Sequence, residues 1–360
     1  MALTWPAEIE LLRELVSTPS VSGTEEAVGR LVEQRVREWG LEVVRDDAGL
    51  RVEVRAASPG PTLALVSHLD TVPPGEGWTR DPFRATIEEG RLYGRGAGDA
   101  KAPVAAMLAA AWDVAREKRL GCGRLLVILG YGEETRNTTM PAAVGRAGII
   151  NAAIIGEPTN LDFAVAQRGL MMVDLVATGD QRHAGYATSD GDFTNAVVAL
   201  SADLMKLGSL FPDRAHPILG APTVTPTMLE AGVSRNVTPP SARAVLDIRS
   251  TPSWPHAEIA ERLRRDLTSE VAVTSDRLVP CETPAGSSLL PVMRAVRPVA
   301  TSYGSPTCSD WVFLRDLDAV KCGPGTSRRS HTPDEYVDLH EVTTAREFYA
   351  RVAEAYLAWE

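Results

Sequence analysis

Thr62-Leu63-Ala64-Leu65-Val66-Ser67-His68-Leu69-Asp70 is the stretch on which the fold turns. Residues 62–67 are a continuous apolar run of the kind that fills the centre of a sheet buried on both faces. Two similar runs follow, Arg124-Leu125-Leu126-Val127-Ile128-Leu129 and Ala152-Ala153-Ile154-Ile155. An Ala-rich helical segment, 101–116, lies between the first and second. This strand-helix-strand alternation predicts an α/β domain, a mixed sheet covered by helices on both faces.

Working outward, 7–16 has helical periodicity. Ser22 and Glu25 have capping-box spacing for a helix running to about 39. Residues 41–44 and 50–54 suit short strands. After Glu157 the pattern changes. Strand 170–177, helix 194–207, strands 225–230 and 242–248, helix 255–267 and strand 271–274 give the order βαββαβ of a small α+β sandwich. From about 283 the α/β character returns and ends in a helix over 342–359. The expected organisation is therefore a first domain in two parts, 1–165 and 281–360, with a second domain, 166–280, inserted between them.

A chain of 360 residues is long enough for two cores. Its 44% hydrophobic and 23% charged residues are ordinary for a soluble globular protein. A formal net charge of −10 argues against nucleic acid as a partner, while leaving room for a local basic pocket. Cys122, Cys281, Cys308 and Cys322 are scattered, without C-x-x-C or zinc-finger spacing, which reads as reduced thiols. The opening residues lack a signal-peptide pattern, and no apolar run is long enough to span a bilayer. The expectation is a cytoplasmic protein with no membrane partner.

The ends of the apolar runs carry the chemistry. His68 and Asp70 stand two residues apart, so a carboxylate can hydrogen-bond one ring nitrogen and leave the other for a metal. A lone H-x-D equally describes a structural histidine. Gly94-Arg95-Gly96-Ala97-Gly98-Asp99-Ala100-Lys101 does not have P-loop spacing. Asp99 reads either as a bridging carboxylate or as a helix N-cap. Glu133 and Glu134 follow the second run, where two adjacent negative charges need cationic compensation. Glu157 ends the third run, and His331 lies in Ser330-His331-Thr332-Pro333-Asp334-Glu335. Acidic residues or histidine thus end three consecutive buried strands and should gather along one sheet edge. Mixed nitrogen and carboxylate donors suit zinc, with cobalt or manganese as substitutes.

With these motifs in view, the chain resembles the dinuclear zinc aminoacylase and carboxypeptidase family, which includes acetylornithine deacetylase and succinyl-diaminopimelate desuccinylase. The resemblance spans nearly the whole chain through SHLDTVP (67–73), GRGAGDAKAP (94–103), GEE (132–134), GEPTN (156–160) and SHTPDE (330–335). It implies two Zn2+ ions, one held by His68, Asp99 and Glu157 and the other by Asp99, Glu134 and His331, with Asp99 as the bridge. It implies that Asp70 orients His68, that Glu133 is the general base, and that His183, in Gln181-Arg182-His183-Ala184-Gly185, helps to stabilise the oxyanion. The inserted domain is implied to be a lid and dimerisation domain, so a homodimer is expected.

Glutamate at 157 resembles the deacylases and carboxypeptidases of the family, which implies a small N-acyl amino acid substrate. Arg168, Asn236, Arg249 and Gly325 match positions implied to face it. Gln167 stands where desuccinylases carry the first of two arginines. The segments around Thr307-Cys308-Ser309-Asp310-Trp311 and Gly323-Pro324-Gly325-Thr326 resemble the acetylornithine deacetylase branch, and equally the hydrolases that release lysine or ornithine from an amino-group carrier protein. The expected activity is hydrolysis of an Nα-acyl basic amino acid in arginine or lysine biosynthesis. The alternatives are a carrier-protein hydrolase, a succinyl-diaminopimelate desuccinylase or a carboxypeptidase. A non-catalytic binding protein on the same fold is the reading from another class, and the presence of Glu133 beside a full ligand set argues against it.

Overall fold

The structure, a computed structural model, describes residues 5–187 and 193–358. In chain order its elements are α1 (Ala7–Ser17), α2 (Glu26–Glu38), β1 (Glu42–Asp46), β2 (Gly49–Arg55), β3 (Thr62–His68), β4 (Thr86–Glu88), β5 (Arg91–Tyr93), α3 (Ala102–Arg116), β6 (Arg124–Gly130), α4 (Met140–Arg146), β7 (Ala152–Ile155) and β8 (Phe163–Gln167). Then follow β9 (Gly169–Thr178), α5 (Ala196–Leu204), β10 (Thr223–Ala231), β11 (Ser241–Ser250), α6 (His256–Asp266), β12 (Glu270–Leu278), β13 (Cys281–Glu282), α7 (Leu289–Val296), β14 (Ser302–Ser305), β15 (Asp318–Lys321), β16 (Tyr336–Asp338) and α8 (Leu339–Tyr356). The expected end of the last helix at 359 and the opening residues 1–4 lie outside the described residues. The chain divides into two compact units. One comprises Met1–Val165, Thr283–Tyr303 and Ser309–Glu360, the other Ala166–Glu282 and Gly304–Cys308.

In the first unit the strand order is β1-β2-β6-β3-β7-β15-β8. β6, β3, β7 and β15 are parallel, and the flanking strands are antiparallel, which makes the sheet mixed as expected. Every residue of β3 and β7 is buried. Leu63, Leu65, Val127, Leu129 and Ile154 join one core with Val104, Met107 and Leu108 of α3 and Phe348 and Tyr349 of α8. The residues between them, Ala64, Val66, Leu126 and Ile128, are buried on the opposite face. His68 is level with Gly130, and Val66 with Ile128 and Ile155, so three strands end together. Carboxyl ends of parallel strands are where open α/β sheets build sites.

The second unit has four antiparallel strands in the order β10-β11-β9-β12. Burial alternates along β9 and β11, and the inward residues Val173, Leu175, Ala244, Leu246 and Ile248 pack with Leu200 of α5 and Ile259 and Leu263 of α6. Helix α5 is shorter than the expected 194–207. Asn195 caps it by accepting from the amides of Val197 and Val198, and a 3-10 turn follows at Leu207–Ser209.

Local reading misses a small sheet of order β16-β5-β4. Its hairpin strands are three residues long and join through Glu89-Gly90, both at positive φ (49° and 76°), the signature of a tight primed turn. The capping box at Ser22 and Glu25 is not formed. The helix starts at Glu26, and both side chains are engaged elsewhere. Among the described residues no helix is long and apolar enough to cross a membrane, and none of the four cysteines is in a disulfide.

Candidate metal centre

The aligned strand ends bring His68, Glu134 and Glu157 to one edge of the sheet, and two loops add Asp99 and His331. Asp99 turns one oxygen to each histidine: Oδ1 lies 3.4 Å from His68 Nε2 and Oδ2 lies 3.7 Å from His331 Nε2. Glu157 Oε1 stands 3.9 Å from His68 Nε2, and Glu134 Oε2 stands 3.0 Å from His331 Nε2. Ligand atoms of His68, Asp99 and Glu134 lie within 4.8 Å of one another. Asp99 does not cap the following helix, whose start at Ala102 has no side-chain cap and carries Pro103 in its first turn. The peptide after Asp99 is cis.

His68 is 1% exposed. Its Nδ1 is 3.1 Å from the Asp70 backbone carbonyl and 3.4 Å from Asp70 Oδ1, so Asp70 takes that proton by either route. Nε2 is buried with no hydrogen-bond partner among the described residues. A buried ring nitrogen left bare and aimed between two carboxylates fits a divalent cation, and mixed imidazole and carboxylate donors suit one of zinc's hardness.

The charges are crowded. Burial pushes the Glu157 carboxyl up to about 8, and Asp99 adds to it, while His68 and Lys321 act the other way. Burial also raises Glu133 well above the usual carboxylate range; His68 opposes this, and Glu157 and Asp310 reinforce it. Glu134 is raised by burial, against the pull of His331. Burial opposes a charged His68, but Asp70, Asp99 and Glu133 outweigh it and raise its pKa. Such a set of half-buried carboxylates calls for cationic compensation.

Asp70 is the best-anchored member. Burial would raise its pKa, but His68, Ser22 and the Glu134 amide hold it at about 2. Its oxygens accept from Glu133 N (3.0 Å), Glu134 N (3.0 Å) and Ser22 Oγ (2.7 Å). Ser22 is thus a support of the site that capping rules assign elsewhere. Glu25 accepts from Gly23 N and Gly132 N, which fixes the turn just before Glu133. Gly96 is at φ 79°, and a Cβ there would lie 2.4 Å from Thr71 Cγ2, so the loop carrying Asp99 can approach Thr71, just past the strand end, only with glycine.

The remaining expected residues occupy several settings. Gly325, at φ 80°, donates its N–H to Glu341, and a Cβ on it would lie 3.4 Å from the Gly98 Cα. His183, Asn236, Arg168 and Arg249 belong to the inserted unit. His183 is exposed and forms a bridge with Val237; the Ala184 amide donates to the Asn236 carbonyl. His183 Nδ1 accepts from Gly185 N, which puts the proton of the neutral ring on Nε2. Arg168 donates to the backbone carbonyls of Ala221, Arg249 and Leu219, and Arg249 forks onto Asp247.

A mixed α/β sheet that gathers carboxylates and two histidines at one edge, in a chain that also carries an antiparallel α+β unit, suits a metal-dependent hydrolase. The profile of peptidase family M20/M25/M40 matches residues 64–355, and the chain belongs to that family. It is similar to succinyl-diaminopimelate desuccinylase 2 of Ruegeria sp. (strain TM1040), 29% identical over 98% of this chain and 95% of that one. It is also similar to the succinyl-diaminopimelate desuccinylase of Methylorubrum populi, 28% identical over 97% and 98%. Among solved structures, the aminopeptidase PepT of Bacillus cereus shares the fold with TM-score 0.79 at 19% identity, over 97% of this chain and 98% of that one. An M20 family dinuclear metal binding peptidase of Bacillus subtilis shares it with TM-score 0.76 at 16% identity, over 97% of each chain.

Proposed function

We propose that the chain hydrolyses the amide bond of an N-acyl amino acid, with His68, Asp99 and Glu157 holding one divalent metal and Asp99, Glu134 and His331 holding a second. One observation carries this reading: Asp99 offers a separate oxygen to each of two histidine–glutamate pairs. When bound, such a metal pair polarises a carbonyl and acidifies a water. Zinc is the metal of first choice.

Glu133 follows a buried strand end beside the ligands but is not one of them. Its raised pKa equips it to take a proton from water and pass it to the leaving amine. Asp70 fixes the His68 ring by holding Nδ1–H. His183 carries its ring proton on Nε2, the tautomer needed to donate to a developing oxyanion. We assign the inserted unit a lid and dimerisation role.

For the acyl group, the relatives named succinyl-diaminopimelate desuccinylase favour a succinylated amino dicarboxylate over an acetylated basic amino acid. A second reading, an Nα-acetyl basic amino acid, draws on the engagement of both Arg168 Nη atoms with backbone carbonyls, which compete with a succinyl carboxylate for that guanidinium. Turnover of N-succinyl-diaminopimelate, N-acetylornithine, N-acetyllysine and a carrier-protein-linked lysine should be compared on metal-replete enzyme. Succinyl turnover at least tenfold above the others is expected. Preference for an acetyl substrate supports the second reading, and no amide turnover on any of them removes both.

A further inference from the structure

A buried ion pair outside the ligand set ties the ligand-bearing loops together. Arg95 and Glu335 are each 1% exposed. Glu335 Oε2 accepts from Arg95 Nη1 (2.6 Å) and Gly96 N (3.1 Å), and Oε1 accepts from Gly98 N (3.0 Å) and Asp99 N (3.1 Å). Its backbone carbonyl accepts from Gly94 N at 2.9 Å. Four donors fill the acceptor sites of one carboxylate, and one of the four is the amide of Asp99 itself. Arg95 Nη2 reaches on to the carbonyl of Pro74 (3.0 Å), and its guanidinium lies 5.2 Å from the Trp78 ring centroid, in the loop that follows Asp70.

Glu335 also ends the loop that presents His331. His331 and Asp334 adopt positive φ (64° and 51°), and the Asp334 carboxylate accepts from Thr79 N, Thr79 Oγ1 and Arg80 N. One short segment therefore clamps two others, through Asp334 to the 79–80 turn and through Glu335 to the 94–99 loop. A buried carboxylate whose two oxygens each take two donors fixes the geometry of those donors, and losing an acceptor would leave bare amides behind.

We propose that Glu335, with Arg95 as its counter-ion, is a positioning residue that holds Asp99 and His331 at the spacing a bridged metal pair needs. This rests on the reading of Asp99 and His331 as ligands. Calorimetric titration of the metal-stripped full chain with Co2+ tests it, alongside the melting temperature of the metal-free protein. Glu335→Gln keeps the shape but turns an amide N–H2 toward backbone donors. It should weaken binding of at least one ion by about 10- to 100-fold, and Arg95→Lys, which keeps the charge and loses the reach to Pro74, by less. Wild-type affinities for both ions in Glu335→Gln would overturn the proposal, whatever the melting temperature does. If that variant does not fold, unchanged affinities in Arg95→Lys overturn it and a loss of fivefold or more supports it. A wild-type chain that takes up fewer than two ions overturns the ligand reading and the proposal with it, and the wild-type titration alone reveals that case.

Discussion

Asp70→Asn is the sharpest perturbation of the centre that leaves its shape intact. Asn keeps one acceptor oxygen and replaces the other by a donor. In one orientation the new N–H2 faces Glu134 N and Ser22 Oγ; in the other it faces Glu133 N and the His68 ring. Either way a backbone N–H loses its partner, a cost of about 1–3 kcal/mol. An independent route gives the same size. A carboxyl that ionises at about 2 in the fold, against an ordinary 3.8, contributes about 2 kcal/mol when ionised in both states. The folded value is depressed, so this contribution is present above pH 3.8 and is lost as pH falls through 2. Urea unfolding of the metal-free wild type and variant should differ by about 2 kcal/mol at pH 7, and by about half that at pH 3. A difference below about 0.5 kcal/mol at pH 7, or one that does not shrink at pH 3, would refute this account of Asp70.

Glu133→Gln should lower kcat by about 10²- to 10⁴-fold and leave two ions per chain, measured by steady-state kinetics and metal analysis. Turnover near wild type would remove Glu133 from proton transfer. Gly323→Ala puts a Cβ 2.6 Å from the Glu157 carbonyl and 3.2 Å from its amide, where backbone cannot yield. It should cost about 1–3 kcal/mol in thermal unfolding and weaken metal binding; an unchanged melting temperature would contradict the packing. Metal removal should destabilise the chain, by about 2.7 kcal/mol relative to free metal at a hundred times its Kd. Identical melting curves with and without chelator would exclude binding at a folded-state site.

Strand content and the gathering of acidic residues were legible because both are local. Burial of the 62–67, 124–129 and 152–155 runs places them side by side, and the period of the sheet puts His68 and Glu157 at matching heights. What stayed hidden depends on contacts far apart in sequence. Ser22 carries a helix-capping signal, yet its hydroxyl goes to Asp70, 48 residues away. Glu335 looks like one more charge in an acidic tripeptide-like stretch, and its partners lie 236–240 residues back. Motif resemblance points to Arg168 and Arg249, but a motif says nothing about which carbonyls or carboxylates already hold a guanidinium. The β4-β5 hairpin was invisible because three-residue strands carry too little periodicity to read.

The two histidines differ in how they meet water. His68 sits on a central strand and is 1% exposed, whereas the side chain of His331 sits on a loop and is 51% exposed. Under the proposed ligand assignment the centre is lopsided, with one half fastened to a fully buried inner strand and the other hung on a segment that solvent and chelators can reach. Ion exchange would then be sequential, starting on the His331 side, and a half-loaded chain retaining its inner ion would be a discrete species that kinetics of metal release could resolve.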